Sequence, residues 1–278
     1  MNPLRAISAD ARLFTGKPQT ATVAYVSQSV VNLSGPQNNW LMLCDARLGG
    51  GPHTVLVEPC SGLGGAVSVG EIVIIAGCRV AGPAGDIVTW KDAHCWMPEP
   101  PLGIRAGVGH RITLAEAIVG ALGCFEARPL ISVPVRALRE GCLDLSPPKI
   151  RHALAELVGL GPGLTPAGDD YLGGYLAALL HISGNNAPAG TARALVADAL
   201  GTAHGHTQPL SDFLLGEYRT GMIPEFLSTC LHTLLHPSTT PQLSRSVRQV
   251  LSHGATSGTE MMLGLLDCSK DFCQEFFS

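Results

Sequence analysis

The spacing of apolar residues changes once along this 278-residue chain, at about residue 100. Before that point, short β-branched and apolar runs such as TATVAYVSQSVVNL and EIVIIAGCRVAG alternate with clusters of Gly, Pro and Asn. This pattern is typical of strands joined by tight turns. Because no helical window lies between the runs, we predict five or six strands over residues 20–97, forming an antiparallel sheet or a small barrel.

After residue 112 the apolar spacing becomes helical. TLAE at 113–116 has the capping-box pattern, and SPPKIRHALAELVG begins with Ser146 as a candidate N-cap. Further helices are predicted at 166–182, 191–203, 209–219, 223–235, 241–252 and 258–267. The sequence therefore predicts an α+β chain, with a β-rich N-terminal domain (1–108) and a mostly helical domain (109–278).

Composition restricts the partners of this chain. Charged residues make up only 14% and hydrophobic residues 46%, against roughly 25% charged residues in an ordinary soluble domain. The formal net charge is −4, without a Lys/Arg cluster, so nucleic acid and membrane surfaces are not expected partners. No apolar run approaches the ~18 residues of a membrane span, and nine cysteines without a CxxC pair fit a reducing compartment. We expect a cytoplasmic protein whose apolar surface is partly covered by another subunit.

The most unusual stretch is GLGPGLTPAGDDYLGG, residues 159–174. Thr165 is the predicted N-cap and Pro166 the first helical residue, which places Asp169 and Asp170 in the first turn. A carboxylate there is stabilised by the helix dipole by roughly 0.3–1 kcal/mol. Two adjacent ones point about 100° apart and cannot share one solvent face. Asp169 and Asp170 are therefore candidate catalytic residues, with helix capping as the alternative.

The glycines of this stretch have two interpretations. Gly161, Gly163 and Gly168 keep the helix start open, and Gly173 and Gly174 continue a run that allows either a ligand or another backbone to come close.

The charges at this helix start allow two kinds of ligand binding. Backbone amides at a helix start attract anions, whereas carboxylates repel them. Either a divalent cation, Mg²⁺ or Mn²⁺, bridges the aspartates, or the aspartates accept hydrogen bonds from a ligand NH₂ while the amides hold its carboxylate or phosphate.

A second polar helix start is predicted in HGATSGTEMMLGLL, residues 253–266. Ser257 and Glu260 have capping-box spacing, and Thr256 and Gly258 keep the start small. If the two helix starts face each other, Asp169, Asp170, Ser257 and Glu260 line one pocket.

Two further segments carry candidate ligand contacts. In HTQPLSDFLLG, Thr207 and Ser211 are four residues apart and so share one face of a helix. In CDARLGGGPHT, a glycine run is followed by His53 between two predicted strands, where it could reach a ligand, although a plain hairpin loop is the default interpretation.

These motifs resemble the oxamate carbamoyltransferase subunit family of the allantoin pathway. The resemblance is carried by GLGPGLTPAGDDYLGG, HTQPLSDFLLGEYRTG and GATSGTEMMLGLL, in that order, with LCDARLGGGPHTVLVE similar to the family's N-terminal half. It implies one subunit of an enzyme that converts oxalurate and phosphate into oxamate and carbamoyl phosphate. The family motif falls here on Gly161, Gly163, Thr165, Gly168, Asp169 and Asp170, with Ala167 replacing the usual serine. Together with Thr207, Ser211, Thr256, Ser257, Gly258 and Glu260, these are the expected catalytic and substrate-binding residues.

The phosphate site is not evident in the motifs. Arg105 and Arg111 are the only candidates near the predicted domain junction, so part of the transfer chemistry is expected on partner subunits. Two alternatives stay open. One is a metal-dependent hydrolase in which the aspartate pair, Glu260 and His206 hold a divalent ion, and the other is a non-catalytic assembly subunit.

Overall fold

A computed structural model describes residues 3–58, 62–123, 129–203 and 205–273. The chain forms two compact units, Met1–Pro98 and Glu99–Ser278. The first is built of strands and the second of helices, so the predicted α+β fold is confirmed.

The first unit is a closed barrel. Its strands are β1 (Leu4–Asp10), β2 (Gln19–Val26), β3 (Val30–Ser34), β4 (Trp40–Asp45), β5 (Thr54–Val57), β6 (Ile72–Ile75), β7 (Arg79–Gly82), β8 (Gly85–Thr89) and β9 (His94–Trp96). They neighbour one another in the order β5-β4-β3-β2-β6-β7-β8-β1, and β1 also pairs with β5, which closes the ring. Strand β9 is added beside β1. The barrel therefore leaves no open edge among its first eight strands.

Alternating residues fill the barrel interior. Val23, Leu33, Leu43, Val55 and Val88 are fully buried, as inward-facing positions of a small barrel should be. The prediction of a small barrel is confirmed, but the strand count and direction were incomplete. The described residues contain nine strands, because β1 lies before residue 20 and several short strands share one predicted run. The pairs β1–β8, β1–β9 and β4–β5 are parallel.

The second unit is entirely helical within the described residues. Its helices are α1 (Val108–Ala121), α2 (Pro129–Leu143), α3 (Pro147–Leu157), α4 (Ala167–Ile182), α5 (Ala187–Thr202), α6 (Pro209–Thr220), α7 (Glu225–Leu235), α8 (Thr240–Leu251) and α9 (Ser257–Cys273). Helix α4 is buried on every side from Gly168 to Ile182, which is the position of a helix that is apolar all round. Within the described ranges, every helix is too short or too polar to span a bilayer.

Two helix assignments differ from the sequence analysis. Helix α1 begins at Val108, and Thr113 lies inside it with its hydroxyl donating to the Gly109 carbonyl at 3.1 Å. The predicted capping box at TLAE is therefore wrong. Helix α2 was not predicted and contains Pro134. Its side chains Ile131 and Leu138 are buried in the core, so tertiary packing outweighs the helix-breaking tendency of the proline.

Helices α4 and α9 lie side by side and run in the same direction, with glycines at their contact. A methyl group on Gly174 would overlap the carbonyl oxygen of Met261, and one on Gly264 would overlap that of Tyr171. Backbones can approach this closely only where no Cβ intervenes. Of the two interpretations of the glycine run, close backbone packing therefore applies to Gly174.

An ionic network joins the same two helices to α2. The Arg139 guanidinium donates to both carboxylate oxygens of Asp271, at 2.9 and 2.7 Å, and lies 3.1 Å from Asp267. The hydroxyl of Tyr171 donates to Asp267 at 3.1 Å and that of Tyr175 to Asp271 at 3.4 Å. Bidentate, hydrogen-bonded pairs of this kind hold side chains in a defined geometry. The network therefore fixes how α4 and α9 lie against each other.

Candidate functional site

The starts of α4 and α9 face each other, which is the arrangement that places the two predicted polar helix starts in one region. The hydroxyl oxygens of Thr165 and Ser257 lie 3.1 Å apart. Asp170 and Glu260, both in the first turns of their helices, are 3% and 5% exposed. We name this region the helix mouth, defined by residues 161–170 and 256–260.

Positive-φ glycines fold the chain over the start of α4. Gly159, Gly161 and Gly163 have φ of +77°, +122° and +101°, values that residues with a Cβ rarely adopt. The Gly168 amide donates to the Leu160 carbonyl at 2.9 Å. The loop therefore turns back onto the helix, leaving Gly163 exposed at its tip.

The cap of α4 differs from the predicted one. Pro166 is the N-cap and Ala167 the first helical residue, and no side chain caps the helix. Thr165 instead directs its hydroxyl to Ser257 of α9. The helix thus begins one residue later than predicted. As a result, Thr165 joins the two helix starts instead of capping α4.

Asp169 is a buried carboxylate held by three donors. Its Oδ1 accepts the Gly159 amide at 2.8 Å, and its Oδ2 accepts the Ser211 hydroxyl at 2.6 Å and a short hydrogen bond from the Thr207 hydroxyl. The predicted face shared by Thr207 and Ser211 thus converges on Asp169, although α6 begins only at Pro209. Hydrogen bonds to a buried charged group are among the strongest in proteins. Asp169 ties the glycine loop and α6 to α4.

Asp170 has a different environment from its neighbour. Its Oδ2 is buried without a hydrogen-bond partner. Burial raises the pKa of Asp170 to about 7, the nearby hydroxyls of Ser257 and Thr165 partly offset this rise, and the charge of Asp169 adds to it. A carboxyl with a pKa near neutrality and an unused oxygen can hold or give up a proton under physiological conditions.

Several backbone amides of the loop before α4 have no acceptor in the described part of the chain. Within the described chain, the N–H groups of Gly161, Gly163, Leu164, Thr165 and Ala167 donate no hydrogen bond to another group of the protein. Two parallel helices also begin here, so the positive ends of two helix dipoles coincide. The mouth combines an anion-attracting backbone with three buried carboxyls, those of Asp169, Asp170 and Glu260, of which Asp170 has a pKa near neutrality.

Three further predicted site residues, Thr256, Gly168 and Gly258, differ in their exposure and packing. Thr256 is exposed, and its carbonyl accepts the amides of Thr259 and Glu260. A methyl group on Gly258 would overlap the Val250 carbonyl, and one on Gly168 would overlap that of Leu157. Gly168 and Gly258 therefore act through close packing at the mouth rather than by leaving space for a ligand.

Of the two arginine candidates for phosphate, Arg105 is exposed and Arg111 is bonded to backbone carbonyls. Arg111 is buried, and its guanidinium donates to the carbonyls of Leu234 at 2.7 Å and Leu235 at 3.0 Å, at the end of α7. It also donates to the Ala106 carbonyl at 3.1 Å. The interpretation of Arg111 as a phosphate ligand is therefore replaced by that of a helix C-cap, where a cation is favoured by the dipole.

The described ranges offer few side chains that could bind the divalent ion of the metal-dependent alternative. No group of three or more His, Cys, Asp or Glu side chains there is placed to hold a metal ion. His206 is exposed and lines a cavity of about 140 Å³ beside α3 and α5. His204 lies outside the described residues.

The sequence gives no reason to distinguish Asp169 from Asp170, but in the structure the two carboxyls have different hydrogen-bond partners. The four-residue spacing of Thr207 and Ser211 was the available signal for a shared acceptor, but only the tertiary fold shows that it is Asp169. Nothing in the local sequence distinguishes the carboxyl that is fully hydrogen bonded from the one that is not.

Replacing Asp170 by asparagine is expected to change how stability depends on pH. Asp170 titrates near pH 7 in the folded protein against an ordinary value of 3.8. Between these values the folded state binds a proton that the unfolded state has released, so the stability contributed by this group is present below about pH 4 and is lost as pH rises towards 7. The stability difference between Asp170→Asn and the parent should grow by an amount on the order of a few kcal/mol from pH 4 to pH 8.

Urea unfolding at several pH values measures this difference. Asp198→Asn, at an exposed position on α5, is the matched control and should differ from the parent by a constant amount. A flat difference for Asp170→Asn as well would show that Asp170 has an ordinary carboxyl pKa.

Comparison with known proteins places the mouth within a family match. Residues 157–269 match the family model of the oxamate carbamoyltransferase subunit AllH. The matched segment runs from the end of α3 into α9 and contains both helix starts and the Thr207–Ser211 segment. The family resemblance seen in the sequence is therefore confirmed over this part of the helical unit. No curated protein and no solved structure gives a significant match to the chain.

Proposed function

We propose that this chain is a subunit of an oxamate carbamoyltransferase and that its helix mouth binds the oxamate portion of the substrate. The observation that carries the proposal is Asp170, a buried carboxyl with an unpartnered oxygen and a pKa near 7, inside the segment that matches the family. A group of this kind lowers the stability of the folded protein at neutral pH, which is characteristic of functional sites.

The mouth offers complementary groups for both ends of such a ligand. Amides of the loop that includes Gly161, Gly163 and Ala167 are available to the carboxylate of oxamate or oxalurate. The unpartnered Oδ2 of Asp170 then accepts an N–H of the ligand's amide. This assignment resolves the conflict between anion-attracting amides and a neighbouring carboxylate without a bridging cation.

Asp170 also supplies the proton that the transfer requires. In the direction from oxalurate, a phosphate oxygen attacks the carbamoyl carbon and the bond from that carbon to the oxamate nitrogen breaks. The departing nitrogen takes a proton from Asp170, and the attacking hydrogen phosphate gives up its proton, which restores the protonated Asp170. The products are oxamate and carbamoyl phosphate, and in the reverse reaction Asp170 takes the proton from the oxamate nitrogen while the leaving phosphate is protonated. A pKa near the working pH keeps both protonation states accessible, as general acid–base catalysis needs.

Asp169 has a positioning role in this scheme. Its carboxylate holds the Gly159 amide and the hydroxyls of Thr207 and Ser211, and so fixes the loop whose amides face the ligand. The phosphate group and part of the transfer machinery are assigned to partner subunits, because Arg111 is occupied as a helix cap.

Turnover of the assembled enzyme tests the proposal. With partner subunits present, Asp170→Asn should form carbamoyl phosphate from oxalurate and phosphate about a hundredfold more slowly, the usual loss when a general acid is removed. Asp198→Asn should retain parental turnover. Parental rates in the Asp170→Asn complex would refute the catalytic assignment and favour an assembly role for the chain.

A further inference from the structure

A cavity with ligand-binding character lies in the barrel unit, outside the segment that matches the family. It measures about 310 Å³ and is bordered by the turn after β1 and by β2, β4 and β6. Its polar lining consists of Arg12, Lys17, Gln19, Asn39, Trp40 and His53. The volume is at the lower end of the range for small-molecule sites. His53 belongs to the CDARLGGGPHT motif, which the helix mouth does not use.

The charge of this cavity is one-sided. Arg12, Lys17 and His53 line it without an acidic side chain, but Arg12 is ion-paired with the buried Asp10 at 2.6 Å, so Lys17 is the lining cation without an ion pair in the described ranges. Lys17 is also exposed. A neighbouring cavity of about 210 Å³ on the same unit is balanced, because Glu58 and Asp92 accompany its two basic residues. The positive charge of Lys17 in this concave site attracts anions.

A buried carboxylate orders two of the basic residues. Asp10 is 1% exposed and accepts the Arg12 side chain at 3.1 Å (Nε) and 2.6 Å (Nη2), and the His53 amide at 2.7 Å. Burial raises the pKa of Asp10, but the hydrogen bonds from Arg12 and His53 outweigh it and the net shift is downward. The His53 ring is fixed by a 3.0 Å hydrogen bond between its Nδ1 and the Trp40 carbonyl. Arg12 and His53 are thus positioned before any ligand arrives.

The backbone beside the cavity is held in an uncommon conformation. His53 and Asn38 both have positive φ, +49° and +57°, although neither is glycine. The Asn38 side chain accepts the Trp40 indole N–H at 2.8 Å. Such conformations persist where surrounding contacts impose them, and they are concentrated at ligand sites.

We propose that this cavity is a binding site for a small phosphate-bearing anion, with Lys17, Arg12 and His53 surrounding the phosphate oxygens. The paired amides of Gln19 and Asn39, joined by a 2.9 Å hydrogen bond, border the site and are available to a polar substituent of the ligand. All of these residues belong to the barrel unit, so the proposal does not depend on the function assigned to the helix mouth.

Calorimetric titration of the full chain with inorganic phosphate, at constant ionic strength set by chloride, tests this site. Lys17→Ala should weaken phosphate binding roughly ten- to hundredfold, as expected for the loss of a charge-assisted contact, and His53→Asn should weaken it by removing the ring that borders the site. Asparagine is chosen at position 53 because it tolerates positive φ better than alanine does. Lys91→Ala, in the charge-balanced cavity, is the control and should bind phosphate as the parent does.

Three results would overturn the proposal. One is unchanged phosphate affinity in both Lys17→Ala and His53→Asn, and a second is an equal loss in Lys91→Ala, which would indicate nonspecific charge effects. The third is binding of oxamate but not of phosphate at this cavity, detected by titrating oxamate into the same variants, since the site would then recognise carboxylates. Lys17 is exposed, so its variant reports on binding even if His53→Asn unfolds.

Discussion

Gly174→Ala is expected to unfold the helical unit under conditions in which the parent protein is folded. The new methyl group would occupy the position of the Met261 carbonyl oxygen of α9. A backbone atom cannot rotate away as a side chain can, so α4 and α9 would have to separate along their shared contact. Overpacking commonly costs about 1–3 kcal/mol, and we expect a loss on the order of 4 kcal/mol or more because the obstacle is main chain.

Gly216→Ala provides the matched control. Gly216 also lies inside a helix, α6, but nothing occupies the space around its missing Cβ. Alanine there should raise the free energy of unfolding by roughly 0.5–1 kcal/mol, the difference in helix propensity. Thermal unfolding followed by circular dichroism compares the two variants. A folded Gly174→Ala with a parental melting temperature would show that α4 and α9 do not pack backbone to backbone.

Asp169→Ala is expected to produce the second large loss of stability. The substitution leaves the Gly159 amide and the Ser211 hydroxyl without their acceptor, and Ser211 is only 2% exposed. Removing one partner from a buried charged network costs about 3–5 kcal/mol. In a helical unit of this size the melting temperature should fall by about 10 °C.

Asp198→Ala removes a carboxylate of the same type from an exposed position on α5. Its free energy of unfolding should stay within about 0.5 kcal/mol of the parent value. Differential scanning calorimetry distinguishes the two variants directly. If they melt together, Asp169 does not hold the glycine loop and α6 in place.

The contrast between Asp169→Ala and Asp170→Asn summarises the physical difference between adjacent residues. Asp169 is satisfied by three donors and contributes stability, whereas Asp170 is buried without full compensation and lowers it at neutral pH. We therefore expect Asp169→Ala to lose stability and Asp170→Asn to gain stability at neutral pH.

Local sequence patterns were sufficient for the fold class and for locating both helix starts of the mouth. The spacing of apolar residues changes near residue 100, because a strand buries every second side chain whereas a helix buries every third or fourth. This signal can be read from short stretches of sequence. The sequence could not decide between an open antiparallel sheet and a closed barrel, because the β1–β5 pairing that closes the barrel joins residues about 50 positions apart. Helix α2 was missed because Pro134 disfavours a helix locally and packing decides the outcome.

The roles of the motif residues were less accessible. Thr165 is a residue type that commonly caps helices, yet its hydroxyl forms a hydrogen bond with that of Ser257, 92 positions further along the chain. Gly168 and Gly174 were compatible with an open ligand site or with close packing, and only the positions of Leu157 and Met261 decide between them. Such contacts depend on which helices become neighbours, and a single sequence carries little direct information about that.

In the function we propose, Asp170 binds the amide end of oxamate in the mouth formed by α4 and α9. Calorimetric titration of oxamate into the chain assembled with its partner subunits tests it most directly, with Asp170→Asn and Asp198→Asn compared at pH 6, 7 and 8. We expect the parent and Asp198→Asn to bind with the same affinity, and both to show a change in proton uptake across this pH range as Asp170 titrates. Asp170→Asn should bind roughly tenfold or more weakly and lose that proton linkage. Equal oxamate affinity and equal proton linkage in the parent and Asp170→Asn would contradict the account.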